Sequence, residues 1–113
     1  MKITDNTQSL KRSSDFRRIY RKGICEAGGY IAVYALKNRI GSNRLGLTVS
    51  KTVGNAVVRS RTKRLLRECY RYYASALPQG YDFILVARNR AAGKSLDALR
   101  RDFGYVLKKT GLK

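Results

Sequence analysis

The sequence of 113 residues contains no histidine and no tryptophan, and only 7 of its residues are acidic. Histidine is the commonest general base and the commonest metal ligand, so its absence excludes the sites that depend on it. The acidic residues are scattered, without the pairing that general acid–base catalysis uses. No glycine-rich phosphate loop of the P-loop or Rossmann type is present. The sequence therefore predicts neither catalytic residues nor a metal site within the protein.

Cysteine and long apolar runs are also scarce. Cys25 and Cys69 match no metal-binding spacing, so we expect two free thiols in a reducing compartment. No apolar run is long enough to span a bilayer. The first residues, MKITDNTQSLKR, lack the apolar centre of a signal peptide. These features predict a cytoplasmic protein without membrane attachment, and we expect no obligate protein partner.

Positive charge is what the sequence has in excess. Lys and Arg together number 25, which gives a formal net charge of +18. Such a charge opposes folding by self-repulsion and attracts polyanions from a distance. Nucleic acid is the first partner that this composition predicts. A membrane surface is less favoured, because the most basic segment has too few large apolar residues outside its buried face for interfacial insertion.

The most informative segment is 51–71, which reads KTVGNAVVRSRTKRLLRECYR. Gly54 gives the backbone freedom before a helix, and the Asn55 side chain can accept a hydrogen bond from an unpaired backbone N–H as the N-cap. Good helix formers follow, and Pro78 cannot continue a helix. The pattern predicts one long helix over residues 55–77.

A rotation of about 100° per residue separates two faces of this helix. One face carries five cations, although like charges four residues apart destabilise a helix slightly. A solvated basic face is the plainer interpretation, but the net charge favours a polyanion that lies along it. The predicted buried face comprises Val58, Thr62, Leu65, Leu66, Cys69, Tyr73 and Ala76. The basic face comprises Arg59, Lys63, Arg64, Arg67 and Arg71.

Two shorter helices and several strands complete the pattern. Ser13 or Ser14 can cap a first helix that Gly23 closes. Ser95 can cap a last helix that Gly111 closes. Strands rich in β-branched and aromatic residues are predicted at 30–37, 44–50 and 81–87, with a short edge strand within 23–29.

One sheet with two helices on one face uses most of the apolar residues. The sequence therefore predicts an α+β fold, a two-layer α/β sandwich with about four strands in the order α-β-β-β-α-β-α. The long basic helix and the C-terminal helix cover one face, and the short first helix borders the other. Residues 1–113 are expected to form a single RNA-binding domain, in which residues 1–11 are a mobile basic tail.

Aromatic residues are expected beside the cations on the face that the first helix borders. Phe16 and Tyr20 share one side of that helix, and Tyr30 and Tyr34 share one side of the first long strand. Such a groove suits unpaired RNA, because bases stack on rings while cations contact phosphates. Core packing is the other interpretation of Phe16 and Tyr20. The side of the next strand that is expected to stay open carries Arg44, Gly46, Thr48 and Ser50.

The long motif and its neighbours closely resemble the bacterial ribonuclease P protein family. That family carries the pattern K-x-x-G-N-A-V-x-R-N-R-x-K-R-x-x-R, which residues 51–67 follow. The similarity covers nearly the whole chain. Further matches are Leu10-Lys11, Asp15-Phe16, Gly23, Leu45-Gly46, Val49-Ser50-Lys51, Asp82 and residues 84–88.

The resemblance implies the protein subunit of an endoribonuclease that removes the 5′ leader of precursor tRNA. It implies a large catalytic RNA as the main partner, which carries out the chemistry with Mg²⁺ held mainly by the RNA. Carried over by position, the residues that bind the precursor tRNA leader are Phe16, Tyr20, Ala32 and Tyr34. Those implied to bind the RNA subunit are Lys51, Asn55, Arg59, Ser60, Arg61, Lys63, Arg64, Arg67 and Arg71.

One position departs from the family pattern, and one alternative function remains. Ser60 stands where the family usually has Asn, and Ser lacks the paired donor and acceptor of an amide. The alternative is a structural ribosomal protein that binds ribosomal RNA, since a family of small-subunit ribosomal proteins has a similar fold. The long motif favours the first function. A DNA-binding module is less favoured, because the cationic face lacks Asn or Gln to read bases.

Overall fold

The computed structural model describes residues 7–112. The chain forms one sheet with α1 on one face and two helices on the other, which confirms the predicted α+β fold, although the sheet has five strands rather than about four. The strands are β1 (Gln8–Ser9), β2 (Ile24–Ala27), β3 (Ile31–Lys37), β4 (Arg44–Thr48) and β5 (Tyr81–Ala87). The helices are α1 (Ser13–Lys22), α2 (Ala56–Tyr73) and α3 (Leu96–Thr110), with short 3-10 turns at Ala74–Ala76 and Asn89–Ala91.

The strands are arranged in the order β1-β4-β5-β3-β2. β5 is the central strand, and it pairs parallel to β4 and antiparallel to β3. Its sequence, YDFILVA, is a nearly continuous apolar run because helices cover it on both faces. The prediction that the most apolar segment is a central strand is therefore confirmed.

The larger apolar cluster, which we call the main core, lies between the sheet and the pair α2 and α3. Leu66 of α2 and Phe103 of α3 are fully buried against Val33 and Leu85 of the sheet. In both helices apolar residues recur every three or four positions, so that one side of each helix is buried. The predicted placement of these two helices on one face is confirmed.

A smaller apolar cluster, the small core, lies beneath α1 on the opposite face of the sheet. Its buried members are Leu10, Ile19 and Ile84, and the rings of Phe16 and Tyr34 pack against it. Alternation along β3 and β5 sends every second side chain to this face. The apolar contact under α1 is small, so polar contacts also hold this helix on the sheet.

The N-terminal segment contains a strand that the sequence did not predict. The N–H of Gln8 donates to the Asn43 carbonyl at 3.0 Å, and that of Leu10 donates to the Leu45 carbonyl at 2.9 Å. These bonds pair β1 with β4, and Leu10 is buried. The predicted mobile tail over 1–11 is therefore wrong for residues 8–10, and residues 1–6 lie outside the described part. A two-residue strand is too short to show any apolar period.

The caps of α2 and α3 follow the sequence prediction. The Asn55 Oδ1 accepts a hydrogen bond from the N–H of Val58 at 3.0 Å. The Ser95 Oγ accepts one from the N–H of Ala98 at 3.1 Å. Gly111 ends α3 with φ of 78°, a left-handed conformation that favours glycine. Between residues 7 and 112, no helix is both long and apolar enough to cross a membrane.

The start of α1 and the end of α2 differ from the prediction. α1 includes both serines that were expected to cap it, and Arg12 occupies the N-cap position without a side-chain hydrogen bond. α2 ends at Tyr73 rather than at residue 77, because Ala74–Ala76 tighten into a 3-10 turn. The tighter turn rotates the side chains that follow, so Ala76 is exposed although it was predicted to be buried. Tyr70 is buried, although it was not among the residues predicted for the buried face.

Candidate nucleic-acid interface

The first feature of the interface is a row of cations on α2, which we call the basic row. It consists of Arg59, Lys63, Arg67 and Arg71, whose four-residue spacing directs their side chains to one side of the helix. Lys63 and Arg67 are exposed, and no acidic side chain within residues 7–112 pairs with either of them. Arg71 pairs loosely with Glu68, at 3.6 Å between Nη1 and Oε2. The row therefore presents largely uncompensated positive charge.

In the described part of the chain, three depressions lie along the basic row. The first, of about 150 Å³, is lined by Arg59, Ser60 and Lys63. The second, of about 510 Å³, lies between α1, β4 and α2 and shares Lys63 with the first. The third, of about 490 Å³, lies between β1 and α2 and contains Arg67 and Arg71. We call the second the aromatic groove and the third the β1–α2 groove.

The aromatic groove combines rings with positive charge. Phe16 and Tyr20 line it from α1, and Lys63 lines it from α2. This is the combination that binds unpaired RNA, since rings stack on bases and cations contact phosphates. The complete lining is Lys11, Ser13, Phe16, Arg17, Tyr20, Leu47, Thr48, Val49 and Lys63.

Three rings form a continuous row from this groove across the sheet. The ring centroids of Phe16 and Tyr20 are 6.3 Å apart, and those of Tyr20 and Tyr34 are 4.8 Å apart in an edge-to-face arrangement. The Tyr20 hydroxyl shares a hydrogen bond of 2.9 Å with the Thr48 hydroxyl. Tyr20 is 37% exposed, whereas Phe16 and Tyr34 are half-buried. The structure thus brings together the three rings that were predicted to bind the leader.

Strand pairing places Ala32 near these rings. Ala32 pairs with Val86, and Val86 pairs with Thr48, so the three side chains form one row across the sheet on the α1 side. All three are half-buried. This row extends the surface beside Tyr20, because Thr48 is the residue that Tyr20 contacts. Ala32 therefore lies on the same face as the rings, two residues from Tyr34.

The side of β4 that was predicted to stay open is partly covered. A Cβ on Gly46 would lie 2.6 Å from Phe16 Cζ and 3.2 Å from Leu10 Cδ1, so only glycine permits this close approach. Arg44 on the same side is bound to Asp82. The prediction is therefore wrong at these two positions, because α1 and the residues before it dock on them.

A buried carboxylate, Asp82, fixes α1 on the sheet. Arg44 donates to it from Nε and Nη2 at 2.8 and 2.7 Å. Arg18 of α1 donates from Nη2 at 3.1 Å, and Asn38 donates from Nδ2 at 2.8 Å. Burial by itself would raise the pKa of Asp82, but these hydrogen bonds outweigh it, and the pKa lies below its ordinary value. The ionised carboxylate thus links α1 to β4 and β5.

The two cysteines are free thiols, as predicted, in contrasting surroundings. Cys69 is buried in the main core, and this burial raises its pKa to about 12. Cys25 is exposed on β2, opposite Tyr34 on β3. The hydrogen bond with Cys25 and partial burial raise the pKa of Tyr34. The phenol of Tyr34 therefore stays neutral at physiological pH and adds no negative charge beside the aromatic groove.

Several predicted RNA-binding residues lie beside the basic row rather than on it. Arg61 points to the other flank of α2, where its Nη1 donates to the Lys94 carbonyl at 3.3 Å. Lys51 is exposed in the turn before α2, and Arg64 is exposed next to the row. The side chain of Asn55 is occupied as the N-cap. The nine predicted positions therefore do not form one continuous surface.

Tyr30 lies away from the aromatic groove. Its ring packs against the main core, with Lys94 Nζ 5.2 Å and Arg90 Cζ 6.0 Å from the ring centroid. Because β3 begins at Ile31, Tyr30 is outside the alternation that would put it beside Tyr34. The prediction of Tyr30 as a groove residue is therefore wrong.

Lys11, Arg17 and Val86 are among the residues of the interface that the sequence analysis missed. Lys11 and Arg17 line the aromatic groove, and Val86 lies in the row beside Tyr20. Alternation along β5 could have identified Val86 once the side facing α1 was known. No sequence signal could have identified Lys11 and Arg17, because their positions depend on how α1 docks.

Comparison with known proteins gives a consistent result. A family model described as Ribonuclease P matches residues 4–111. The "Ribonuclease P protein component" of Natranaerobius thermophilus is 44% identical over 104 residues, which cover 92% of this chain and 90% of the relative. The protein of the same description from Caldanaerobacter subterraneus is 42% identical over 110 residues, which cover 97% of this chain and 95% of the relative.

Solved structures agree with the sequence relatives. The RNase P protein of Staphylococcus aureus superposes with a TM-score of 0.84 at 35% identity, over 92% of this chain and 95% of that chain. The RNase P protein of Thermotoga maritima superposes with a TM-score of 0.80 at 26% identity, over 90% of this chain and 96% of that chain. The long motif, the fold and these relatives lead to one assignment: the chain belongs to the ribonuclease P protein family.

Proposed function

We propose that this chain binds the catalytic RNA of ribonuclease P and the 5′ leader of precursor tRNA, and thereby promotes Mg²⁺-dependent removal of that leader. The observation that carries the proposal is the position of Lys63. This side chain belongs to the basic row and also lines the aromatic groove opposite Phe16 and Tyr20. A cation there can contact the phosphates of a strand whose bases lie on the rings.

The basic row is the surface proposed for the RNA subunit. Its cations are spaced about 6 Å apart along the helix axis, at about 1.5 Å per residue, which is comparable to the spacing of successive phosphates in an RNA strand. Because Lys63 and Arg67 are not neutralised by acids of residues 7–112, a polyanion would replace repulsion with attraction. Arg64 and Lys51 flank the row and enlarge the positive surface, and the neutral side chain of Ser60 is exposed beside it.

The aromatic groove is the surface proposed for the leader. The groove has a volume of about 510 Å³, and the ring of Tyr20, which lines it, is exposed to solvent. Rings stack on any base, so we expect binding without strong preference for leader sequence. Phe16 and Tyr34 support Tyr20 from either side and are proposed to contact neighbouring bases.

Mg²⁺ is proposed to be held by the RNA rather than by this chain. Among the described residues, no cluster of three or more acidic or cysteine side chains could hold a metal ion. The described residues therefore supply no cluster of this size that could hold Mg²⁺ without ligands from the RNA. Phosphate and carbonyl oxygens of the folded RNA are the ligands that Mg²⁺ prefers. This function requires the chain to work in the cytoplasm, where it meets precursor tRNA.

Cleavage of precursor tRNA tests the proposal directly. We expect the cognate RNA subunit with this protein to release the 5′ leader at moderate Mg²⁺ faster than the RNA alone, and the nuclease-free protein alone to release nothing. Cleavage by the protein without RNA would contradict the proposal that the RNA subunit, rather than the protein, carries out the chemistry. Co-purification of the chain with ribosomal RNA instead of a separate large RNA would favour the alternative of a structural ribosomal protein.

A further inference from the structure

The aromatic groove contains a pair of hydroxyl groups that base stacking leaves unused. The hydroxyl of Tyr20 on α1 and the hydroxyl of Thr48, the last residue of β4, share a hydrogen bond of 2.9 Å. Both residues line the groove. Phe16 lines the same groove one helical turn before Tyr20 and has no hydroxyl. Stacking on a ring therefore does not require the phenolic oxygen, which is available for another contact.

This hydroxyl pair has hydrogen-bonding capacity left over. Each hydroxyl carries one donor and also accepts through its lone pairs, and the shared bond uses the O–H of one partner alone. Neither side-chain hydroxyl makes another hydrogen bond with residues 7–112. Tyr20 is exposed and Thr48 is half-buried. The pair therefore offers one free O–H donor and several acceptor positions to a ligand in the groove.

The plainer role of this bond is to hold α1 on β4. The bond is exposed, however, so water competes for both hydroxyls and its net contribution to folding is small. α1 is already fixed by buried contacts, since Arg18 donates to Asp82 and Ile19 is fully buried in the small core. The position of α1 therefore does not depend on the hydroxyl pair.

The groove presents different chemistry to each part of a nucleotide. Lys11, Arg17 and Lys63 line it and suit phosphates, because charge-assisted hydrogen bonds are stronger than those of a neutral hydroxyl. The rings suit bases. A phenolic oxygen lies at the edge of its ring and in the ring plane, so a base stacked on the face of Tyr20 cannot direct its own edge to that oxygen. The ribose attached to the base extends past the ring and can reach it.

We propose that the hydroxyl pair of Tyr20 and Thr48 binds the 2′-hydroxyl of a leader nucleotide and makes the aromatic groove selective for ribose over deoxyribose. The 2′-hydroxyl is both donor and acceptor, as the pair is, and it distinguishes RNA from DNA. Tyr20 makes the contact, and Thr48 orients the phenol. The proposal rests on the proposed function, because it takes the leader as the ligand. Every RNA nucleotide carries this group, so the selectivity requires no preference for leader sequence.

The first test compares precursor tRNAs that differ only in the sugars of the leader, which are ribose, 2′-deoxyribose or 2′-fluororibose. The fluoro sugar keeps the pucker of ribose and lacks the O–H, so it separates the hydrogen bond from backbone shape. With the unaltered protein in the assembled enzyme, we expect the ribose leader to bind about two- to tenfold more tightly than either modified leader, as for one hydrogen bond in competition with water. Equal affinity for the ribose and fluoro leaders would overturn the proposal without any variant.

The second test removes the phenolic oxygen and keeps the ring. In Tyr20→Phe, we expect the ratio of ribose to fluoro affinity to fall to the ratio given by the RNA subunit alone. Contacts of the RNA subunit with the leader sugars are the same in both enzymes, so the change in the ratio isolates the hydroxyl. Tyr105→Phe, which removes the hydroxyl of an exposed ring on α3, is the matched control and should keep the ratio.

Two outcomes of these variants would overturn the proposal. One is an unchanged ratio in Tyr20→Phe, and if the melting temperature fell at the same time, the hydroxyl would be assigned to holding α1. The other is an equal fall of the ratio in Tyr105→Phe. Thr48→Val should also lower the ratio, by a smaller factor, because the phenol remains but loses the group that orients it. An unchanged ratio in Thr48→Val would overturn the role of Thr48.

The leader sequence and mature tRNA provide the last comparisons. An affinity that followed the bases of the leader and was the same for all three sugars would mean that the pair binds base edges, which would overturn the proposal. If precursor tRNA with a ribose leader bound no more tightly than mature tRNA, the proposed leader-binding function itself would fail. That result is distinct from leader binding that does not depend on the sugar.

Discussion

The two faces of the sheet differ in how much apolar surface they bury. Within the described residues, 18 buried residues form the main core beneath α2 and α3, whereas Leu10, Ile19 and Ile84 alone form the small core beneath α1. The first face supplies most of the hydrophobic stabilisation, which scales with buried apolar area. The second leaves rings and cations accessible beside a lightly packed helix. The rings of the aromatic groove, which is proposed above to bind the leader, therefore lie on the face that contributes less to folding.

Polar contacts make up for the small apolar area beneath α1. Asp82 is fully buried and accepts hydrogen bonds from Arg18, Arg44 and Asn38. Asp15 of α1 also lies 3.5 Å from Arg44. These directional contacts fix the position of α1, and with it the positions of Phe16 and Tyr20.

The largest expected difference between the faces concerns buried rings. Phe103→Ala in the main core should lower the free energy of unfolding by about 3–5 kcal/mol, because the ring is fully buried and leaves a cavity. Phe16→Ala should cost less, since its ring is half-buried at the groove. Urea unfolding of both variants measures the difference. Equal losses would show that the α1 face is as important for folding as the main core.

The next effect concerns the anchor of α1. Asp82→Ala should lower the free energy of unfolding by about 2 kcal/mol, because three side chains that donate four hydrogen bonds lose their charged acceptor. The loss is less than for a completely buried pair, since the side chains of Arg44 and Arg18 are 19% and 33% exposed and reach water. Urea unfolding measures this, and Asp97→Ala at an exposed pair on α3 is the control. A loss no larger than in the control would contradict the anchoring role.

The same carboxylate predicts a pH dependence. Its pKa is lower in the folded chain than the ordinary value of 3.8, so its stabilisation is fully present above that value and is lost as the pH falls through the lower folded pKa. The difference in unfolding free energy between the unaltered protein and Asp82→Asn should therefore be constant near neutral pH and shrink in strong acid. A difference that shrank on raising the pH would contradict the assignment.

On the face that α1 borders, the effect is expected in binding rather than in folding. Tyr34→Ala, assembled with the RNA subunit, should weaken affinity for precursor tRNA with a long leader by about 1–3 kcal/mol and leave mature tRNA unaffected. Tyr105→Ala, which removes an exposed ring from α3, is the control. An equal loss for both substrates, or a lower melting temperature with unchanged binding, would assign Tyr34 to packing.

The smallest effect on folding is expected on the basic row. Lys63→Gln should leave the unfolding free energy unchanged or raise it by up to about 0.5 kcal/mol, because repulsion between like charges four residues apart is relieved. Binding to the RNA subunit should show a salt slope smaller by about 0.7–0.9 for one lost phosphate contact. Lys108→Gln on α3 is the control, with the same change in net charge. An unaltered salt slope for Lys63→Gln would support the plainer interpretation, in which the basic row is a solvated surface that does not contact RNA.

Much of the fold was predictable because it depends on local periodicity. The Asn55 and Ser95 caps, the central apolar strand and the apolar faces of α2 and α3 all follow from residues close together in sequence. The short strand β1 was not predictable, since its two residues are stabilised by pairing with a distant strand. The end of α2 was missed for a related reason, because packing rather than propensity decides where the last turn tightens.

The candidate site likewise combines features that the sequence predicts with features that depend on the tertiary structure. The sequence by itself determined the basic row, since a spacing of four residues fixes one side of a helix, and its long motif already indicated the ribonuclease P family. Only the tertiary structure decided that Lys63 faces Phe16 and Tyr20 across a groove, and that Tyr30 does not. It also decided that β1 adds a third depression to the row. The physical reason is that periodicity orients side chains within an element, whereas packing and strand register alone set which elements face each other.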